Sequence, residues 1–173
     1  MGWHQGVGYA SAALVADYLL RDDRYRRGLY TFAKRTASYA MFSLFDAPSG
    51  EQCISRRDRS NTALQALTML NDEVQLDAAR ALGRQIAGAS LPDDAKAGLL
   101  WYRCLGRPPA EKELAMLLRF FQVQHTRLAS GELDANQLAG EPAGHHASVP
   151  VDAAAWTLVS RAVLNLDAFV TKE

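Results

Sequence analysis

The sequence has few cysteines, no net charge and no long apolar run. Each of these absences excludes a class of protein. Cys53 and Cys104 are the only cysteines in 173 residues, too few for a disulfide framework, and neither lies in a haem attachment motif or a paired zinc pattern. Nineteen basic residues balance nineteen acidic ones, so no overall positive field attracts nucleic acid or an anionic membrane. We therefore expect both thiols to be reduced and no nucleic-acid partner.

Membrane and export signals are also lacking. No stretch approaches the run of about eighteen apolar residues that spans a membrane. The N-terminal residues have a short apolar patch but no basic region before it, as an export signal would. We expect no membrane span, and the chain by itself is predicted to be soluble and not exported.

Catalytic signatures are lacking too. The sequence contains no Ser-His-Asp order, phosphate-binding loop or dinucleotide fingerprint. Four histidines, His4, His125, His145 and His146, do not follow the spacing of metal ligands. We predict no catalytic residue and no metal ligand, which makes an enzyme the less favoured interpretation without excluding one.

What the sequence does contain is helical periodicity with almost no strand pattern. Apolar residues recur at spacings of three and four, most clearly over residues 110–129. This pattern predicts an all-α protein, an irregular multi-helix bundle of about six or seven helices with long connecting segments. The predicted helices span residues 9–21, 24–36, 62–71, 73–88, 92–106, 110–129 and 152–165.

Four of these helices have a predicted buried stripe, and two long segments are predicted to be irregular. The irregular segments are residues 37–55 and the Gly-, Ala- and Pro-rich loop 130–150. The predicted stripes are Leu64, Leu67 and Leu70; Val74, Ala78, Ala81, Leu82 and Ile86; Leu114, Leu117, Leu118, Phe121 and Leu128; and Ala155, Leu158, Val159, Ala162, Val163 and Leu166.

Polar residues mark the start of two helices. Thr62 and Gln65 have the spacing of a capping box, in which the first side chain and the fourth each bind the other's backbone N–H. Asn71 ends that helix, and Asp72 is predicted to cap the next one, which stops at Gly88. Together the two predicted helices form a helical hairpin.

Three stretches of the chain resemble a known family. They are "DRYRRGLYTFAKRT", "FDAPSGEQCISRRDRSNTALQALTMLND" and "AAWTLVSRAVLNLDAFVTKE". They resemble the C-terminal domain of planctomycete-type secreted proteins, known as domain of unknown function fifteen-fifty-three. The resemblance is specific over residues 22–88 and 150–173, so residues 1–21 are taken as a poorly matching segment and residues 22–173 as one helical domain.

The resemblance also implies a setting for the chain. Family members combine an export signal, a cytochrome-c-like haem module and a further helical domain upstream of the domain that this chain resembles. It therefore implies an extracytoplasmic location and upstream domains or subunits as partners. Haem c would belong to those upstream modules alone, and no cofactor is expected in this chain.

An arginine cluster precedes Thr62. Arg56, Arg57 and Arg59, with Lys34 and Arg35, are candidates for an anion pocket beside a helix N-terminus. The favoured alternative is that these arginines pair with nearby carboxylates and fasten the irregular segment to the helical corner. The candidate carboxylates are those of Asp46, Glu51, Asp58 and Asp72.

Cys53 lies in the same stretch as the arginines. Their positive charge could lower the pKa of its thiol and make it reactive, but a small buried hydrophobe is the favoured interpretation.

Two functions remain open at this point. The favoured one is a non-catalytic structural or docking module of a cytochrome-c-linked multidomain protein. The alternative is part of an enzyme or binding protein that acts on an anionic polysaccharide through the arginine cluster.

Overall fold

The computed structural model describes residues 25, 39–50, 52–140 and 150–171. Within these ranges the protein is all helical and contains no strand, which confirms the predicted fold class. The helices are α1 (Ala40–Leu44), α2 (Ala63–Asn71), α3 (Glu73–Ala87), α4 (Asp93–Leu105), α5 (Glu111–Ala129), α6 (Ala135–Ala139), α7 (Val151–Leu164) and α8 (Asp167–Val170).

The chain divides into two compact units between Asp58 and Arg59, inside the domain that the sequence predicts as single. In the first unit, α1 is followed by an irregular segment in which Asp46 adopts a φ of +56° and Gly50 a φ of +77°. The predicted irregular segment 37–55 therefore contains one short helix. The predicted helices 9–21 and 24–36, apart from residue 25, lie outside the described residues.

Helix α7 is at the centre of the second unit. Nine of its residues are buried, and from Ala153 to Thr157 they are consecutive, so the helix is covered on nearly every side. Helices α3, α5 and α6 all pack against it. Alanines on α7 and Gly83 on α3 allow this close approach, because small side chains let two helix backbones come together. The Phe121 ring of α5 stacks on Trp156 with 4.4 Å between ring centroids.

Helices α4 and α5 follow the sequence prediction closely. Helix α4 ends at Gly106, whose φ of +73° is the left-handed conformation that glycine adopts without strain. On α5, Leu117, Phe121 and Leu128 are buried as predicted. The apolar stripe of these helices therefore belongs to the core of the second unit.

The buried face of α3 differs in part from the predicted one. Ala78 and Ala81 are exposed, whereas Ala79, Gly83 and Ile86 are buried. The prediction is confirmed for Ile86 and wrong for Ala78 and Ala81, because it followed apolar character alone. The face of α3 against α7 is chosen instead by small side chains, and Gly83 counts as small although it is not hydrophobic.

Several other details also differ from the prediction. Leu64 and Leu67 of α2 are exposed, and so are Ala162 near the end of α7 and Leu166 just after that helix. Gly88 ends α3 with a φ of −73°, in the right-handed region, and not in the left-handed one. The predicted loop 130–150 contains α6, and the part of it that the structure leaves undescribed is residues 141–149.

Candidate functional site

The corner before α2 has the hydrogen bonds that the sequence predicts. The Thr62 N–H donates to Gln65 Oε1 at 3.0 Å, and the Gln65 N–H donates to Thr62 Oγ1 at 3.2 Å. The buried Gln65 side chain also donates to Ser60 Oγ at 3.0 Å. At the other end, Asp72 Oδ1 accepts from the Gln75 N–H at 3.1 Å. The predicted capping of both helices is therefore present.

Arg57 fastens the irregular segment of the first unit, but through carbonyl oxygens. Its Nε donates to the backbone oxygen of Asp46 at 2.8 Å, and its Nη2 donates to the backbone oxygen of Phe45. Both acceptors follow directly after α1, where backbone carbonyls have no partner within the helix. Arg57 thus holds the chain reversal after α1 without using a carboxylate side chain.

Two of the other candidate anion ligands, Arg56 and Arg59, are among the described residues. Both side chains are exposed, and Arg56 belongs to the first unit and Arg59 to the second. No ion pair links either arginine to a carboxylate within the described ranges. Lys34, Arg35 and Glu51 lie outside the described residues. The anion pocket therefore stays a prediction.

In the second unit, too, cationic side chains donate hydrogen bonds to carbonyl oxygens at helix ends. The sequence had not indicated these positions. Lys96 Nζ on α4 donates to the Ala87 carbonyl, the last of α3, at 3.2 Å. Arg161 Nη2 on α7 donates to the Leu70 carbonyl near the end of α2. The last turn of a helix carries partial negative charge and unpaired carbonyls, so a cation there stabilises it.

Two arginines of α3 donate hydrogen bonds to carbonyl oxygens of α6 in the same way. Arg80 donates to the carbonyls of Gln137 at 3.0 Å and Leu138 at 3.1 Å. Arg84 donates to the Ala139 carbonyl at 2.9 Å. The sequence offers one signal for this pair, since residues four apart lie on the same side of a helix. Their target on α6 could not be read, because it lies more than fifty residues away.

A separate ion pair lies at the turn between α4 and α5. Arg107 binds Glu113 through two hydrogen bonds, of 2.7 and 2.8 Å, and its guanidinium lies 5.3 Å from the centre of the Trp101 ring. Glu113 also accepts from the Ala110 N–H at 2.7 Å. These bonds to the charged carboxylate lower the pKa of Glu113 to about 2. This pair fastens the turn.

The cysteines have opposite environments. Cys104 is buried in the core, and burial raises the pKa of its thiol. Cys53 is exposed, so the favoured prediction of a small buried hydrophobe was wrong. Both are free thiols in the structure. The reactivity of Cys53 stays a prediction.

His125 is the one histidine in the described ranges. Its Nε2 lies 2.9 Å from Asp152 Oδ1, where the pair links α5 to the first turn of α7. No group of three or more potential metal ligands occurs in the portion of the chain that the structure covers. No helix there is long and apolar enough to cross a membrane.

Comparison with protein families gives one match, over residues 9–121, to the family described as "PSD1: Protein of unknown function (DUF1553)". The chain belongs to this family. The match begins inside the segment that was expected to match poorly and ends before residues 150–173. Comparisons with curated proteins and with solved structures find no match.

Proposed function

We propose that this member of the DUF1553 family is a non-catalytic helical module that docks against the haem-carrying part of a multidomain protein. The observation that supports this proposal most directly is the exposure of two leucines on α2. Leu64 is 60% exposed and Leu67 is 56% exposed, and their spacing places them on one face of the helix. A partner that covered this face would remove both side chains from water.

The attachment of α2 explains how it can present an apolar face. Gln65 is its only buried residue. Polar bonds hold both ends, because Asn61 donates to Asp167 Oδ1 at 2.9 Å beside the N-terminus and Arg161 donates to the Leu70 carbonyl near the C-terminus. The leucines of α2 therefore contribute little to the core and remain available to a partner.

The energy available from this face is modest. Full burial of an exposed leucine contributes about 1.5–3 kcal/mol, so each of these partly exposed side chains could add about 1 kcal/mol to an interface. Leu64 and Leu67 would thus contribute about 2 kcal/mol together, or roughly a thirtyfold change in Kd. An effect of that size is measurable with one double variant.

Binding of the purified chain to a purified haem-carrying module of a family protein tests the proposal. Sedimentation would measure the association of the wild type and of the double variant Leu64→Ser, Leu67→Ser. We expect the double variant to bind about thirtyfold more weakly. Met116→Ser is the matched control, because Met116 is 69% exposed but lies on α5. No association of the wild type, or equal loss in the control, would refute the proposal.

Recognition of an anionic polysaccharide is the alternative, and the exposure of Arg56 and Arg59 favours it. Calorimetric titration with sulfated and carboxylated oligosaccharides separates it from docking. Arg56→Ala is the informative variant, because replacing Arg57 would also remove the bonds that hold the segment after α1. A heat of oligosaccharide binding that the wild type shows and Arg56→Ala lacks would favour the alternative over docking.

A further inference from the structure

Residues 133–140 form a short strap against the second unit. The strap contains α6, which lies against both α3 and α7. Ala139 is fully buried, whereas Leu133, Ala135 and Leu138 are only partly buried against the core. Asp134 begins the helix by accepting from the backbone N–H of Asn136 at 2.8 Å. Only one apolar side chain of the strap is therefore fully buried.

Cationic hydrogen bonds supply most of the remaining attachment. The three bonds from Arg80 and Arg84 reach three successive carbonyls, those of residues 137, 138 and 139. Arg80 Nη1 also lies 3.5 Å from Asp77 Oδ1 on its own helix. The two guanidinium groups thus act on one end of the strap.

We propose that the strap, residues 133–140, detaches from α3 and α7 as one segment while the rest of the second unit stays folded. A five-residue helix is far below the length at which a helix is stable by itself, so α6 depends on its contacts with α3 and α7. Segments with few buried contacts open at lower free energy than the core. Nine buried residues hold α7, in contrast to one on α6.

The geometry of Gly140 supports opening at that end. Its φ of +70° is a conformation that glycine enters and leaves without strain. An added Cβ at this position would lie 3.1 Å from Arg80 Nε, so the backbone passes close to the guanidinium. When the strap opens, Ala139 leaves the core, and the sides of α3 and α7 under α6 become accessible to solvent. The second unit would then have an apolar surface that is absent from its closed form.

Native-state hydrogen exchange of the full chain tests this proposal. The reporters are the strap amides with hydrogen bonds, namely those of residues 136, 137 and 138. We expect them to exchange faster than the α5 amides in the wild type. In the double variant Arg80→Met, Arg84→Met, we expect a further acceleration of about tenfold or more at the strap, with no change in α5.

Arg119→Met is the matched control, because it removes an exposed arginine of α5 that no described bond connects to the strap. It should leave the strap amides unchanged. If the double variant does not fold, Arg84→Met alone still removes the bond to Ala139 and should accelerate the same amides. Strap amides that exchange at the α5 rate in the wild type, or that do not respond to the arginine variants, would overturn the proposal.

Discussion

The close approach of α3 and α7 in the second unit provides the sharpest test of the fold. At Gly83 of α3, a Cβ atom would lie 2.5 Å from Thr157 Oγ1 and 2.6 Å from both the Thr157 Cα and N atoms. Two of these three neighbours are backbone atoms, so a change of side-chain rotamer cannot relieve the overlap. Helices α3 and α7 would have to move apart.

We expect Gly83→Ala to destabilise the protein. Overpacking a core costs about 1–3 kcal/mol, and contact with backbone places this case near 3 kcal/mol. Because alanine has a higher helix propensity than glycine, the substitution also stabilises α3 by about 1 kcal/mol. The free energy of unfolding should therefore fall by about 2 kcal/mol, which is roughly a thirtyfold change in the unfolding equilibrium constant.

Urea denaturation followed by circular dichroism measures this change, and the chain contains a matched control. Gly98 lies inside α4, and a Cβ added there would meet no atom within 4 Å. Gly98→Ala should therefore raise the free energy of unfolding by up to about 1 kcal/mol, from helix propensity alone. If Gly83→Ala proves as stable as the wild type, or if both variants change stability in the same direction, the described packing of α3 on α7 is incorrect.

Two further substitutions test the caps and ion pairs. Thr62→Ala removes the oxygen that accepts from the Gln65 N–H and should cost about 1 kcal/mol in urea denaturation, whereas Thr126→Ala in the last turn of α5 should be close to neutral. Glu113→Gln should destabilise at neutral pH through loss of the pair with Arg107. Because the folded pKa of Glu113 is about 2, below its usual 4.5, the stabilisation exists above the unfolded value and disappears as pH falls towards 2. A Thr126→Ala loss equal to that of Thr62→Ala, or a Glu113→Gln deficit that persists at about pH 2, would contradict these assignments.

Local patterns predicted the helix boundaries well where the determining contacts are close in sequence. The capping residues of α2 and α3 act over three positions, so their spacing alone identified Thr62 and Asp72 as helix starts. Gly106 and the prolines after it likewise placed the turn between α4 and α5. These signals do not depend on which helices later pack together.

The arginine cluster could be predicted only in part. Its composition indicated either an anion pocket or a fastening, and the structure shows Arg57 bound to two backbone carbonyls. The carbonyl acceptor of a side chain cannot be predicted from residue types, because every residue supplies the same backbone acceptor. The bonds from Arg80 and Arg84 to α6 were missed for the same reason.

By itself, the sequence determined the all-helical class, the principal helix boundaries and the caps, because each follows from residues a few positions apart. Tertiary structure decided which faces are buried. It placed Gly83 in close contact with Thr157, left Leu64 and Leu67 exposed, and made α7 the centre of the second unit. Hydrophobic periodicity reports which side chains favour burial, whereas burial itself depends on how closely two backbones can approach, and that depends on small residues distant in sequence.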